Sequence, residues 1–163
     1  VLLDQAFSPE RLEATLRKGS FGIVHIASHG RFSADVEDSF LLTSAGKITL
    51  TRLSEIVGHL RFRTQPLELL TLSACETAQG DERAALGLAG VAIQAGARSA
   101  LATLWRVSDD ATARLMKAFY HHLRTPGMSR AEALRQAQLR LLQEPLYAEP
   151  FFWAPFLLLN NWL

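Results

Sequence analysis

Residues 21–28, FGIVHIAS, and residues 67–73, LELLTLS, are two short and mainly apolar runs, the first with β-branched side chains and the second rich in leucine. Their length and composition are typical of buried strands in the middle of a sheet. The first run is followed by His29, and the second is followed, after one alanine, by Cys75. Two residues that can perform chemistry therefore stand directly after two predicted strands.

The rest of the chain alternates between strand and helix patterns. A third strand is predicted at 98–104, a final strand at 153–159, and a β-hairpin where 40–43 and 47–50 flank a short turn at 44–46. The predicted helices begin at capping residues or carry apolar residues at helical spacing, and they cover 9–18, 53–60, 85–95, 109–123 and 130–143.

This alternation predicts an α/β domain with a mostly parallel central sheet, helices on both faces and a short β-hairpin. The 163 residues suit one domain of that kind. In such sheets, ligands bind beyond the carboxyl ends of the strands. His29, Cys75 and the segment 105–109 each follow a predicted strand, so we expect all three at one rim of the sheet.

Composition narrows the classes of function. A net charge of +1 gives no electrostatic reason to expect nucleic acid or an anionic membrane as a partner, and the longest apolar runs are too short to span a bilayer. No charged-then-apolar leader opens the chain, so we expect a cytoplasmic protein. The single cysteine excludes an internal disulfide and cannot build a thiolate zinc site by itself. Because the chain opens at Val1, we interpret it as a fragment whose regulatory region is missing.

Two further patterns do not indicate a binding site. His25 and His29 are four residues apart, which on a strand is about 13 Å and too far to bind one metal ion. Gly87, Gly90 and Gly96 do not follow a strand in the dinucleotide-binding pattern, and we interpret them as points of close helix–sheet packing. The sequence therefore predicts neither a metal nor a cofactor.

His29 and Cys75 are candidates for a catalytic pair. The thiolate is the reactive form of cysteine, and a neighbouring imidazole can take the thiol proton. Neighbouring strands lie about 5 Å apart, so the two side chains can meet if their strands are adjacent. The backbone amides of Gly30 and Cys75 are candidate oxyanion donors. From the residues alone two alternatives stay open: Cys75 as a small buried hydrophobic side chain, and His29 as a loop histidine bonded to a carbonyl.

The segments HIASHG (25–30) and LSACETA (72–78) resemble the two signature segments of the CHAT domain family, which are caspase-like domains often found after tetratricopeptide repeats. Further similar segments follow in the family's order: GLAG at 87–90, AGA at 95–97, LWRVSDDAT at 104–112 and WAPF at 153–156. The resemblance extends from about Phe21 to Leu159, which is nearly the whole chain.

The resemblance implies a caspase–hemoglobinase-like fold and a catalytic dyad of His29 and Cys75, at a spacing comparable to the roughly 50 residues found in caspases. In separase-like relatives an acidic residue that matches Asp109 faces a basic P1 side chain. Asp109 also has a structural explanation, because acids are favoured at the start of a helix. By analogy with caspases Ser73 lines the same pocket, and Trp105 is interpreted as a wall of the pocket or as core.

Two segments depart from related patterns. The caspases' own sequence around the cysteine is absent, since residues 73–76 read SACE, so specificity for aspartate is not implied. The predicted last strand ends with Leu159-Asn160-Asn161, where the resemblance leads us to expect a Gly-Asp pair. How the end of the domain packs at this point is therefore not predicted.

The leading hypothesis is a single CHAT-like domain, residues 1–163, that acts as a caspase-like cysteine endopeptidase on a protein or peptide substrate. Its expected regulator is an N-terminal tetratricopeptide-repeat or other region outside this chain. The competing hypothesis is a catalytically silent module with the same fold and a role in interaction or signalling. A third is an α/β domain that binds a small molecule without covalent chemistry.

Overall fold

The computed structural model describes residues 1–31, 38–59, 66–74, 90, 93, 96–161 and 163. After a 3-10 turn at Asp4–Ala6, its helices are α1 (Pro9–Lys18), α2 (Leu50–Gly58), α3 (Asp109–Leu123), α4 (Arg130–Leu142) and the short α5 (Pro150–Trp153). Its strands are β1 (Ile23–Ser28), β2 (Gly30–Arg31), β3 (Phe40–Thr43), β4 (Gly46–Thr49), β5 (Leu69–Ala74), β6 (Ser99–Thr103) and β7 (Phe156–Asn160). The helix predicted at 85–95 lies outside the described residues except for Gly90 and Ile93. None of the described helices has the length and apolar character that crossing a membrane requires.

Four of the strands form a central sheet in the order β1-β5-β6-β7. β1, β5 and β6 run parallel, and β7 runs antiparallel to β6. The other three form a small antiparallel sheet, in which the predicted hairpin joins β3 to β4 through Ser44 and Ala45. These observations confirm an α/β fold with a mostly parallel sheet.

A hydrophobic core lies on each face of the central sheet. Because side chains alternate along a strand, Leu70 and Leu72 of β5 pack on one face and Leu69 packs on the other. The helical residues in the first core come from α1 and α2 and include Leu12, Leu16, Leu53, Ile56 and Val57. Those in the second come from α3 and α4 and include Leu115, Phe119, Leu134 and Leu141. Helices therefore cover both faces, as predicted.

The strand predicted at 21–28 is buried on one face only in the part of the chain that the structure describes. The strand forms over Ile23–Ser28, but it is the edge strand of the described sheet, and its burial alternates. Val24 and Ile26 point into the core beneath α1 and α2, whereas Ile23 and His25 are exposed on the opposite face. Among the described residues, the core formed by the apolar side chains of α3 and α4 includes residues of β5, β6 and β7 and none of β1.

The last strand is shorter than the sequence indicates. β7 covers only Phe156–Asn160, and Trp153 belongs instead to the short helix α5. Pro150 occupies the first turn of α5, where its fixed φ suits a helix and its missing N–H is not needed. The apolar run at 151–153 therefore begins as a helical turn before the chain enters the sheet.

The helix starts agree with the sequence more closely. Ser8, Ser108 and Ser129 each accept a hydrogen bond from the backbone N–H three residues later, at the starts of α1, α3 and α4. The capping box predicted at Ser129 is only half formed, because the Glu132 carboxylate accepts hydrogen bonds from Arg135 and Gln136. Local side-chain chemistry thus sets where these helices begin.

Asn160 closes β7 in a conformation that glycine favours, with φ at 68°. Asparagine tolerates this left-handed region better than other side chains, and the next residue still pairs with the sheet, since Asn161 N–H donates to the Arg98 carbonyl at 3.1 Å. The absence of the Gly-Asp pair therefore leaves the strand end intact.

We expect Asn160→Gly to preserve the free energy of unfolding and Asn160→Val to lower it by about 1–2 kcal/mol, as measured by urea denaturation. Equal stability of the valine variant would contradict the backbone argument.

Candidate active site

The carboxyl ends of β1 and β5 lie side by side. The two strands are parallel neighbours, and their register pairs Ala27 with Ser73 and Ser28 with Ala74. His29 follows β1 directly and Cys75 follows β5 directly. Cys75 lies outside the described residues, so its pairing with His29 stays a prediction. The described backbone nevertheless brings the residues before each of them into register.

The β-hairpin holds the backbone around His29 in place. The Ser28 hydroxyl donates to the Leu42 carbonyl at 2.6 Å, and the Leu42 N–H donates to the His29 carbonyl at 2.7 Å. Leu42 belongs to β3, so these contacts join the end of β1 to the small sheet. The His29 side chain is exposed and lines two cavities, one on either side of β1. Its main chain is therefore fixed while its imidazole remains accessible.

The backbone of Gly30 is oriented in a way that suits its predicted role. Gly30 is buried and lies opposite Leu41 in the pair of β2 and β3. The bond from Leu42 N–H to the His29 carbonyl is the pattern that flanks a non-hydrogen-bonded pair of an antiparallel ladder. In such a pair the N–H of Gly30 points away from β3 rather than into the ladder. That the Gly30 N–H donates a hydrogen bond to an oxyanion remains a prediction.

A cavity of about 310 Å³ lies between α3 and the face of β1 that carries His25. It brings together three residues that the sequence singled out, namely His29, Ser73 and Asp109. The remainder of its described lining consists of Ala27, Ala113, Met116, His25, Ser28 and Thr112. Six of these nine residues have polar or titratable side chains, and Ala27, Ala113 and Met116 supply the apolar part of the wall.

The two acids at the start of α3 have different surroundings. Asp110 accepts hydrogen bonds from Arg114 Nε at 2.9 Å and from the Tyr147 hydroxyl. The Tyr147 hydrogen bond first, and the Arg114 hydrogen bond second, lower the pKa of the Asp110 carboxyl. Asp109 is exposed and lines the cavity. Asp110 therefore fastens α3 to the segment before α5, and Asp109 faces the site.

Trp105 does not belong to the described lining of this cavity. Its indole Nε1 donates to the Phe151 carbonyl at 3.0 Å, and its ring stacks on that of Phe151 with centroids 6.5 Å apart. Trp105 thus connects the segment after β6 to α5, which is a packing role in the part of the chain that the structure describes.

Sequence reasoning predicted Ser73 in this cavity but missed its hydrogen-bond partner, His25. His25 Nε2 lies 2.8 Å from the Ser73 hydroxyl, and its ring centroid is 5.6 Å from that of Tyr120. Although His25 as a whole residue is exposed, partial burial of its imidazole lowers its pKa through desolvation. The signal was available: His25 and His29 are separated by an even number of residues on a strand, which places both on one face. Among the described residues no cluster of three or more His, Cys, Asp or Glu is arranged to bind a metal.

Comparison with known proteins identifies one family. The family model described as CHAT domain matches residues 1–161 of this chain. No curated protein matches the chain. The match includes every element described above, from α1 to β7.

Proposed function

We propose that this chain, which belongs to the CHAT domain family of caspase-like peptidases, is a cysteine endopeptidase with a His29–Cys75 dyad. The observation that carries the proposal is the register of β1 and β5, which sets Ser28 beside Ala74 at the ends of two parallel strands. His29 and Cys75 are the next residues in each case. The proposal includes the caspase–hemoglobinase-like fold, with which the mostly parallel sheet agrees.

Simple chain geometry supports the dyad. Adjacent strands lie about 4.8 Å apart, and each trans peptide bond advances the Cα position by about 3.8 Å. One peptide bond separates Ser28 from His29, and one separates Ala74 from Cys75. An imidazole and a thiol attached to neighbouring strand ends are therefore within reach of a proton transfer, since each side chain adds a few ångströms of its own.

The chemistry follows from the groups proposed. His29 takes the proton of the Cys75 thiol, and the thiolate attacks the scissile carbonyl carbon. The amides of Gly30 and Cys75 stabilise the oxyanion that forms. The carbon–nitrogen bond then breaks as His29 returns the proton to the leaving amine, which leaves a thioester. A water molecule, activated by His29, hydrolyses the thioester and restores the thiol. No metal or redox cofactor takes part in these steps.

The cavity beside His29 suits the P1 side chain of the substrate. Ala27, Ala113 and Met116 can pack against an apolar stem, and Asp109 offers a carboxylate to a cationic tip. Ser73 is 8 % exposed and contributes a hydroxyl to the same wall. We therefore propose a protein or peptide substrate with arginine or lysine at P1. Trp105 then acts as support for the rim, through its contact with Phe151.

The single cysteine makes the test direct, because any thiol adduct reports on Cys75 alone. We expect a peptidyl acyloxymethyl ketone with arginine at P1 to alkylate the protein once. The rate should be about a hundredfold higher than for a free cysteine peptide, because the acid–base pair and the oxyanion donors act only on a bound electrophile. Intact-mass spectrometry over time measures the rate. Iodoacetamide, which has no P1 group, is expected to show a far smaller acceleration.

The matched control is Cys75→Ser, which is expected to give no adduct while retaining the circular dichroism spectrum of the native chain. Labelling at the rate of a free peptide thiol, with no preference for the peptidyl probe, would overturn the peptidase proposal. It would leave the catalytically silent CHAT module as the description of this chain.

A further inference from the structure

Thr112 carries a hydroxyl whose hydrogen-bonding capacity is unused. Its Oγ1 atom is buried and has no hydrogen-bond partner within the described part of the protein, and the residue lines the cavity beside His29. Buried polar atoms nearly always have a partner, so the Thr112 hydroxyl requires an explanation, and a ligand group in the adjoining cavity would provide one. Thr112 lies on α3, one turn after Asp109, and the two residues face the same cavity.

The opposite wall carries a second polar pair. His25 on β1 is joined to Ser73 on β5 through Nε2 and the hydroxyl, 2.8 Å apart. A neutral imidazole has one donor and one acceptor nitrogen, and a hydroxyl can serve as either, so this pair can present an acceptor to a ligand. Tyr120, which stands beside the imidazole, is already engaged because its hydroxyl donates to Thr71 Oγ1 at 3.0 Å.

We propose that His25 and Thr112 are two further specificity-determining residues of this cavity, and that with Asp109 they select a side chain with an apolar stem and a cationic tip that donates hydrogen bonds. This inference rests on the proposed peptidase function and deepens it. An apolar tip leaves the Thr112 hydroxyl without a partner, and an anionic tip is repelled by Asp109. A guanidinium or an ammonium group has donors for Asp109, for Thr112 and for the His25–Ser73 pair.

The charge of His25 then controls the preference for a cation. The titratable groups around its imidazole are His29 on β1 and Asp109 and Tyr120 on α3, with Ser73 of β5 as its hydrogen-bond partner. Because its pKa lies below the ordinary value of 6.5, His25 is neutral at pH 7 and becomes cationic only as the pH falls further. A cationic His25 repels a cationic tip, so the selectivity is present at neutral pH and is lost at lower pH.

The test compares matched substrates with arginine or citrulline at P1, which have nearly the same shape and differ in charge. The ratio of their kcat/KM values cancels the acid–base chemistry of the catalytic dyad, because both substrates use it. Since His29 lines the same cavity and is present in both the wild type and His25→Gln, the difference between these two proteins reports on His25. We expect this ratio to fall about twofold to fivefold between about pH 7.5 and about pH 5.5, because a pKa below the ordinary value leaves part of His25 neutral at the lower pH, in a range that lies above the ordinary carboxyl values near 4. In His25→Gln the ratio is expected to fall much less.

His121→Gln is the matched control, because His121 is exposed at the far end of α3 and does not line the cavity. It is expected to retain the full fall of the ratio. The same fall in His25→Gln as in the wild type would overturn the assignment of His25.

Thr112 is tested with substrates that carry arginine or norleucine at P1. We expect Thr112→Val to lower the ratio of kcat/KM for arginine over norleucine about tenfold, because the variant keeps the shape of the side chain and removes its hydroxyl. Thr112→Ser, which retains the hydroxyl, is expected to preserve the ratio. A structural role alone would not move this ratio, and an unchanged ratio in Thr112→Val would overturn the assignment of Thr112.

A binding measurement separates this inference from the peptidase proposal. N-propylguanidinium carries the proposed tip and stem, and its addition to the intact chain is expected to shift the imidazole resonance of His25, identified by its loss in His25→Gln. If no peptide is cleaved but this shift appears and is abolished in Thr112→Val, the peptidase proposal fails and the cavity assignment stands. If peptides are cleaved, but the shift is absent and the substrate ratios are unchanged in His25→Gln and Thr112→Val, the assignment of His25 and Thr112 is wrong and the peptidase proposal stands.

Discussion

We expect the His29→Ala variant to cleave a peptide substrate with a kcat/KM about a thousandfold below that of the wild type, because the variant has no group to take the thiol proton or to protonate the leaving amine. The fold should be unaffected, since the His29 side chain is exposed and its position is held through main-chain contacts with Leu42. Steady-state cleavage assays and thermal unfolding of the two proteins measure the two quantities.

Alkylation of Cys75 by iodoacetamide provides a second readout for the same variant. In the wild type the imidazole favours the thiolate, so alkylation is expected to persist below the ordinary thiol pKa of about 8.5, and in His29→Ala it should follow that ordinary value. His59→Ala is a suitable control because His59 is exposed at the end of α2, beside Arg17 and away from the cavities at His29. A variant without His29 that alkylates and cleaves like the wild type would exclude His29 as the base.

The parts of the fold that depend on local chemistry were predictable. The capping serines at positions 8, 108 and 129 form hydrogen bonds within four residues, so their effect is encoded where it acts. The strands at 23–28 and 69–74 were also predictable, because runs of apolar and β-branched residues suit a sheet. The predicted meeting of two strand ends followed from the geometry of parallel sheets.

The parts that depend on distant packing were not predictable from a pattern. The apolar run at 21–28 suits a central strand, but in the described sheet it lies at the edge, and the core that α3 and α4 form with β5, β6 and β7 includes none of its residues. The cavity between this strand and α3, in which Ser73 meets His25, therefore depends on how the two elements pack. Similarly, the sequence carries no signal for the unsatisfied hydroxyl of Thr112, because its lack of a partner among the described residues depends on packing in three dimensions.

Asp109→Asn is expected to lower kcat/KM for a substrate with arginine at P1 by about tenfold to a hundredfold, the range that corresponds to the loss of a charged hydrogen-bonding partner. The citrulline substrate should change much less, because its neutral tip gains little from the carboxylate. Comparison of the two substrates at neutral pH therefore isolates the charge of Asp109 from any general effect on the active site.

Asp110→Asn is the matched control, since it makes the same change one residue later on the same helical turn. Asp110 is bound by Arg114 and Tyr147, so its loss should lower the unfolding temperature while leaving the arginine-to-citrulline ratio unchanged. The pKa of Asp110 is lowered in the folded state, so its stabilising effect is present above the ordinary carboxyl value and is lost as the pH falls through its own pKa. The difference in unfolding temperature should accordingly shrink in acid. If Asp110→Asn changes the substrate ratio and Asp109→Asn does not, the two acids have been assigned the wrong way round, because the group that faces the P1 side chain must control its charge selectivity.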